Sequence, residues 1–282
     1  MKEKSIILVG GPDSGKSNYV ARLWLAIQSK RHHLIASRLP NDVTYVESIS
    51  EHLLKGKFVP RTEPEERNRE FHVSVITKDE SISADIVVPD ILGEIWKKAV
   101  ATLEIPEKWL TALRKSTSAV LFVRVHSKNN VEPLNWVTSQ EFLKMGIGDV
   151  HEQDIPTQIA LMELLRFIDE NISRKGKEKP RVAVIITAWD FLSKEEYALG
   201  PEKYLENEFP MFAGRLSDID SLEVRVFGSS ILGGDLKTEA FVNDFFEQDI
   251  HDKGYIVEQG GDGKTEEIKD VTKPINWLLN QA

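Results

Sequence analysis

The sequence of 282 residues contains no cysteine, which excludes disulfides, thiolate-bound zinc and cysteine nucleophiles. Long apolar runs are also missing. The first residues are charged, the apolar run behind them covers only residues 6–9, and no stretch approaches the roughly 20 apolar residues that a membrane span needs. We therefore expect a cytoplasmic protein that has no signal peptide and does not insert into a membrane.

Positive charge is in deficit, because 45 acidic residues face 36 basic ones and the formal net charge is −9. A field of that sign repels nucleic acids and anionic membranes at long range, so direct nucleic-acid binding is not expected. The seven histidines show neither an HxxxH nor an HExxH spacing. A metal held by histidines is therefore not expected either.

Short β-rich runs alternate with helical segments along the chain, and several strands are apolar throughout, as strands covered on both faces require. This alternation predicts a three-layer α/β fold, with a six-stranded, mainly parallel sheet and helices on both faces. Strands are predicted at residues 6–10, 70–77, 82–89, 119–125, 182–187 and 222–228. Helices are predicted at residues 16–30, 43–54, 93–102, 107–115, 157–173, 202–216 and 273–281.

The length and the absence of internal repeats favour a single domain over residues 1–282. Two long connections, residues 127–156 and 254–273, are expected to be loops. Loops of this length often form binding surfaces, so both are candidate surfaces for a protein partner.

Residues 10–17, GGPDSGKS, match the pattern GxxxxGK[ST] and stand between the first strand and the first helix. In that position backbone N–H groups and the helix N-terminus bind phosphate, the lysine bridges the β- and γ-phosphates, and the serine hydroxyl ligates Mg²⁺. An ordinary glycine-rich turn is the alternative, which this placement disfavours. The predicted triphosphate contacts are Gly10, Gly11, Asp13, Ser14, Gly15, Lys16, Ser17 and Asn18.

The third predicted strand runs into VVPDILGE, a DxxGE element at a carboxyl strand end, where α/β sheets bind their ligands. We predict that Asp90 holds Mg²⁺ directly or through water and that the Gly93 N–H senses the γ-phosphate. The alternative is an aspartate that caps the next helix. The phosphate loop upstream favours the functional interpretation.

The fifth predicted strand ends in TAWD, residues 187–190. A carboxylate at Asp190 can accept hydrogen bonds from guanine N1–H and the N2 amine, a pair of donors that adenine lacks. The sixth strand leads into GSS, where a backbone N–H at Ser229 or Ser230 can meet guanine O6. A polar strand end before a turn is the alternative for each motif. Thr187 is the first residue of the TAWD motif. The order of the TAWD and GSS motifs along the chain and their positions at strand ends favour base recognition.

Together these motifs resemble the P-loop GTPases of the translation-factor and Ras-related class. They resemble more closely the second of the two double-GTPase families of bacterial conflict and signalling systems. The resemblance covers nearly the whole chain, from GGPDSGKSNY to PINWLL at residues 274–279. It implies a GTP-binding switch that hydrolyses GTP to GDP and phosphate with Mg²⁺ and signals to a protein partner or effector.

The resemblance also points to a first switch threonine in FVPRTE, just before the second predicted strand. Thr62 would ligate Mg²⁺ and close over the γ-phosphate. The sequence is equally compatible with an ordinary loop threonine at this position. The adjacent Arg61 is a candidate for an arginine finger supplied by the same chain.

Two residues depart from the class pattern. The base-recognition motif is usually [NT]KxD, but Ala188 replaces the lysine, so the stacking of an aliphatic stem over the base is lost. Trp189 either compensates or faces the core. Glu94 stands where related enzymes often carry a water-orienting glutamine, and its charge repels the γ-phosphate.

These departures predict slow or partner-stimulated hydrolysis and leave two alternatives open. One is a nucleotide-gated scaffold with negligible turnover. The other is an ATPase or nucleotide kinase built on the same loop, which would show no preference for guanine.

Overall fold

The computed structural model describes residues 3–38, 43–59, 71–88, 93–133, 155–174, 178–261 and 263–280. These residues form one nine-stranded sheet with the order β2-β3-β4-β1-β5-β6-β7-β8-β9. The strands are β1 (Glu3–Val9), β2 (Leu34–Arg38), β3 (Phe71–Thr77), β4 (Ser83–Val88), β5 (Ser118–Arg124), β6 (Arg181–Thr187), β7 (Glu223–Ser230), β8 (Tyr255–Gln259) and β9 (Thr265–Ile268).

The centre of the sheet is parallel and its margins are antiparallel. Strands β4, β1, β5, β6 and β7 run parallel. The β2–β3, β3–β4, β7–β8 and β8–β9 pairs are antiparallel. The prediction of a mainly parallel α/β sheet is therefore confirmed for the centre, whereas the prediction of six strands is wrong.

The three strands that the sequence pattern missed lie at the margins. They are short and partly exposed, so they lack the continuous apolar runs that identify the central strands. The prediction of a loop over residues 254–273 is wrong for the same reason, since this segment contains the β8–β9 hairpin and the turn that joins its strands.

The predicted helices are present, although one of them is divided, and the second half of the chain contains two helices that were not predicted, Lys194–Leu199 and Glu239–Glu247. The single helix predicted over residues 202–216 is two helices, because Pro210 has no N–H to donate and occupies the first turn of a new helix. The helices are α1 (Lys16–Ser29), α2 (Thr44–Leu54), α3 (Glu94–Thr102), α4 (Glu107–Lys115), α5 (Thr157–Asn171), α6 (Lys194–Leu199), α7 (Pro201–Glu208), α8 (Pro210–Asp218), α9 (Glu239–Glu247) and α10 (Lys273–Leu279).

The hydrophobic core lies on both faces of the sheet. Along β1, Ile6 and Leu8 pack into one cluster with α1, α2 and α10. Ile7 and Val9 pack into the opposite cluster with α3, α4, α5, α7 and α8. All four side chains are fully buried, which explains why this strand is apolar throughout. Among the described helices, none combines the length and the apolar character that a bilayer crossing needs.

This layering fixes where a ligand can bind. The carboxyl ends of β1, β5, β6 and β7 meet at one edge of the sheet, where Arg124 is in register with Thr187 and Thr187 with Ser229. The loop between β1 and α1 crosses the same edge. Every described segment that the sequence assigned to nucleotide binding therefore begins or ends there, as the rule for open α/β sheets predicts.

Candidate nucleotide site

The loop between β1 and α1 makes two left-handed turns. Asp13 has φ 59° and Gly15 has φ 83°. At residue 15 only glycine fits, because a Cβ there would lie 2.5 Å from Thr187 Oγ1. The loop is thus seated directly on the end of β6, and its amides face the N-terminus of α1 where an anion is favoured.

Lys16 is the first residue of α1 and is only 3% exposed. Its Nζ donates to the Gly10 carbonyl at 2.7 Å, so the ammonium lies across the loop. The buried hydroxyl of Ser14 has no hydrogen-bond partner among the described residues. A buried cation and an unused hydroxyl inside one turn fit an anionic ligand with several acceptor oxygens.

Thr187 connects this loop with the base-recognition motif. Its Oγ1 donates to the Ser14 carbonyl at 2.9 Å and lies 3.3 Å from the Val123 carbonyl. The side chain is buried, so both contacts are shielded from water. This side chain therefore ties the phosphate loop to the end of β6.

Asp190 lies in a short 3₁₀ turn, Trp189–Phe191, that follows Ala188 in the left-handed conformation, with φ 60°. Burial raises the pKa of Asp190, while a hydrogen bond with the Ser230 side chain and the charge of Arg124 act in the opposite direction. A left-handed alanine is unfavourable and persists only where its surroundings hold it. The motif therefore presents a half-buried carboxylate at the sheet edge, beside the phosphate loop.

Trp189 faces the core and does not cover the nucleotide edge. It is fully buried, and its ring packs on Tyr204 at a centroid distance of 5.6 Å. Gly228 leaves room for the indole, since a Cβ at that position would lie 2.5 Å from it. Of the two interpretations of Trp189, the structure selects the core residue.

Ser229 and Ser230 end β7 next to this motif, and both are buried. The Ser230 hydroxyl accepts a hydrogen bond from the Gly233 N–H at 2.9 Å. The Ser229 hydroxyl has no partner within the described part of the chain. The structure thus brings both serines into the same neighbourhood as Thr187 and Asp190.

Gly93 touches the phosphate loop from the opposite side. It has φ 78°, and a Cβ there would lie 2.3 Å from the carbonyl carbon of Gly11 and 2.5 Å from the nitrogen of Pro12. Glu94 follows as the exposed first residue of α3. It lines a cleft of about 720 Å³ together with the phosphate loop, α5 and the segment after β5.

The residues predicted to ligate Mg²⁺ lie only partly within the described part of the chain. Arg61, Thr62 and Asp90 lie outside the described residues. The Asn18 Oδ1 accepts a hydrogen bond from the Val59 N–H at 2.9 Å, at the end of the described range 43–59. Ser17, at the second position of α1, supplies a hydroxyl of the type that Mg²⁺ accepts. Within the described ranges no cluster of three or more histidine, cysteine, aspartate or glutamate side chains suits a metal ion.

Sequence reasoning missed two residues of this site. Arg124, at the end of β5, donates from Nη1 to Asp13 Oδ1 at 3.1 Å, and the Ser127 hydroxyl donates to Asp13 Oδ2 at 2.9 Å. The only signal in the sequence was a cation at a strand end, and no motif singled it out.

The fold and the loop geometry are those of a P-loop GTPase. The sequence matches the family Double-GTPase 1 over residues 7–278, and the chain belongs to that family. The predicted class is therefore confirmed. The matching family is the first of the two double-GTPase families, whereas the sequence motifs had pointed to the second.

Among solved structures, the chain is similar to the one titled "Crystal structure of bacterial selenocysteine-specific elongation factor EF-Sec". The identity is 14% and the TM-score 0.37, with 88% of this chain and 28% of that chain covered. The chain thus spans about 28% of the length of that structure. A comparison with curated proteins finds no match.

Proposed function

We propose that this GTP-binding protein hydrolyses GTP to GDP and phosphate with Mg²⁺ and that the exchange of the two nucleotides switches a protein partner. The observation that carries the proposal is the direct junction of two recognition elements. Lys16 and Ser14 lie in the phosphate loop, and Thr187 fastens that loop to the strand end that presents Asp190. A triphosphate and a guanine can therefore be bound at once along one edge.

Hydrolysis would depend on charge stabilisation. The Lys16 ammonium and the amides of the loop face the transferring phosphoryl group and stabilise the charge on its oxygens. Mg²⁺, when bound, neutralises part of the charge on the β- and γ-phosphates. Ser17 would hold it from the described part of the site, and Thr62 and Asp90 are the proposed further ligands. Water is the nucleophile, so no covalent intermediate with the protein is needed.

Glu94 and Arg61 would set the rate. Glu94 begins the helix directly after Gly93 and lines the same cleft as the phosphate loop, and its proposed role is to orient a water molecule. The negative charge of Glu94 is repelled by the γ-phosphate. For this reason we propose that turnover is slow and that a partner stimulates it. Arg61 would supply positive charge to the transition state from the same chain.

The switch would lie in the segments around Thr62 and Gly93. Gly93 is in van der Waals contact with Gly11 and Pro12, so a γ-phosphate that displaces the loop also displaces the start of α3. We propose that a protein partner or effector, of the kind encoded in bacterial conflict systems, binds this altered surface.

A scaffold with negligible turnover is the second candidate, and two observations favour it. Glu94 is the like-charged neighbour of the γ-phosphate, and Ala188 brings no cation to the nucleotide. An ATPase or nucleotide kinase is a weaker alternative, because adenine has no matching pair of donors for the carboxylate of Asp190.

The test is a titration of fluorescent GTP and ATP against the protein with Mg²⁺, followed by a phosphate-release assay. We expect GTP to bind at least about 100-fold more tightly than ATP, because two charge-assisted hydrogen bonds distinguish guanine. Lys16→Ala is the control, in which both binding and phosphate release are lost. Tight GTP binding without release, alone and with a co-encoded protein, would favour the scaffold. Equal affinities for GTP and ATP would overturn guanine recognition.

A further inference from the structure

We propose that Arg124 is a nucleotide-positioning residue that takes the place of the cation missing at Ala188, by holding Asp13 of the phosphate loop from the end of β5. This inference rests on the proposed binding of a guanine nucleotide at the same edge. It adds a residue from a strand that no sequence motif marks.

The sheet register brings Arg124 to the site. Arg124 is paired with Thr187 across the parallel β5–β6 ladder, so both side chains leave the sheet at the same level. The Thr187 side chain contacts the phosphate loop at Ser14, and the Arg124 side chain reaches it at Asp13. Neighbouring strand ends thus hold neighbouring residues of one turn.

Asp13 needs such support. Its backbone is left-handed, with φ 59°, a conformation that costs free energy for any residue other than glycine. Its two carboxylate oxygens are each occupied, one by Arg124 and the other by the Ser127 hydroxyl. The turn that directs the loop amides toward phosphate is therefore fixed from outside by the segment that ends and follows β5.

The charge of Arg124 also reaches the base-recognition carboxylate. Burial raises the pKa of Asp190, and Arg124 is among the groups that oppose this rise. The charge of Arg124 therefore favours the ionised form of Asp190, which is the form that accepts hydrogen bonds from guanine. Neither Ala188 nor the buried Trp189 supplies such a charge.

The pair of Arg124 and Asp13 contributes little to folding. The Arg124 side chain is 30% exposed and that of Asp13 is 39% exposed, and ion pairs at such positions add little to stability in measured cases. A positioning role therefore predicts an effect on nucleotide binding without a matching loss of thermal stability, which separates it from a structural role.

The experiment compares Arg124→Met with Arg166→Met in titrations of GTP and GDP. Arg166 is a matched control, since it is 37% exposed and pairs with Glu163 and Glu170 on its own helix, away from the nucleotide edge. We expect Arg124→Met to weaken both nucleotides by about 10- to 100-fold, as the loss of a charge-assisted contact does. The control should bind as the wild type does, and neither change should lower the melting temperature by more than about 2 °C.

Two further variants test the mechanism. Asp13→Asn should weaken binding to a similar degree, and the double variant should be no weaker than the worse single one, because the two residues act as one unit. Adding Ala188→Lys to Arg124→Met should restore at least part of the affinity, since it returns a cation to the neighbouring strand end.

The outcomes are distinguishable. If the wild type does not bind GTP, the proposed function fails. If the wild type binds GTP and Arg124→Met binds it equally well, only the present inference is overturned. A fall in melting temperature that accompanies the loss of affinity and resists rescue by Ala188→Lys would identify a structural role and would also overturn it.

Discussion

The buried carboxyl group of Asp190 has opposite effects on stability and on binding. Burial raises its pKa, so at neutral pH the protein keeps a charge in a site that disfavours charge. Such a group destabilises the ligand-free fold above the pKa of the unfolded chain and no longer does so at lower pH, where the folded carboxyl is protonated. This destabilisation is explained if the ionised carboxylate of Asp190 binds a ligand.

Asp190→Asn tests both effects. We expect GTP affinity to fall by about 100-fold, and the preference to move toward xanthosine triphosphate, whose base accepts where guanine donates. In the absence of nucleotide the variant should melt higher than the wild type at pH 7. This gap should close as the pH falls toward 4, because the wild type then also becomes neutral.

The measurements are nucleotide titrations and thermal melts across that pH range. Asp220→Asn, at an exposed position before β7, is the control and should change neither. Unchanged GTP affinity in Asp190→Asn would contradict guanine recognition by this residue and would favour the ATPase or kinase alternative.

At the residue scale the sequence identified the motif positions but not the directions of their side chains. Lys16, Thr187 and Asp190 follow from patterns in which spacing and strand ends determine location. Trp189 was ambiguous because the adjacent strand end and Gly228 decide which way the indole points. Arg124 was missed because its partner, Asp13, is 111 residues away and meets it only through the pairing of β1 with β5.

At the scale of elements, the clearest junction is between the end of α1 and the start of α10. Asp270 accepts from Thr272, and its two carboxylate oxygens lie 3.2 Å from His32 Nδ1 and 2.9 Å from His33 Nδ1. Burial alone would raise the pKa of Asp270, but these hydrogen bonds outweigh it and hold the pKa well below its usual range. Helix α1, whose C-terminal end lies at this junction, begins at the phosphate loop.

Asp270→Asn should therefore destabilise the protein at neutral pH by about 2–4 kcal/mol, since a carboxylate with a lowered pKa stabilises the fold wherever it is ionised. The loss should shrink as the pH falls below about 4, because the carboxyl group of the unfolded chain is protonated there while the folded one is still ionised, which reduces the advantage of the wild type. Thermal melts at pH 7 and pH 3.5 measure both values. Asp252→Asn is the control, because that carboxylate is 72% exposed and its removal should have little effect. A pH-independent difference would contradict the assignment.

Elements were predictable where burial is complete on both faces. The five parallel strands and the helices that cover them have the apolar runs and the 3.6-residue periodicity that sequence patterns reveal. The marginal strands β2, β8 and β9 depend on pairing with a neighbour, which local sequence does not encode. The division between α7 and α8 was readable from Pro210 but was overlooked because the apolar periodicity continues across it.

At the scale of the whole molecule, nucleotide binding should be coupled to global stability. The ligand-free protein contains a buried ammonium at Lys16 and a buried hydroxyl at Ser14 that lacks a partner among the described residues. A bound triphosphate supplies acceptors for both.

We expect GTP with Mg²⁺ at about 100 times its dissociation constant to stabilise the fold by about 2.7 kcal/mol, which raises the melting temperature by roughly 5 °C at this chain length. ATP at the same concentration should produce a smaller shift, and Lys16→Ala should show no shift with either nucleotide. Differential scanning fluorimetry measures these values. Equal shifts for GTP and ATP would contradict selectivity at the base.

The contact between Thr187 and the turn at Gly15 has a consequence for how such a site can evolve. The span from a purine to its β-phosphate is a fixed chemical length, and in this protein Thr187 connects the phosphate loop directly with the strand that leads into Asp190. Any insertion or deletion in β6 would spoil both ends of the ligand at once. Divergence in nucleobase preference within this lineage should therefore accumulate as side-chain replacements at strand ends, while the length of that strand stays constant.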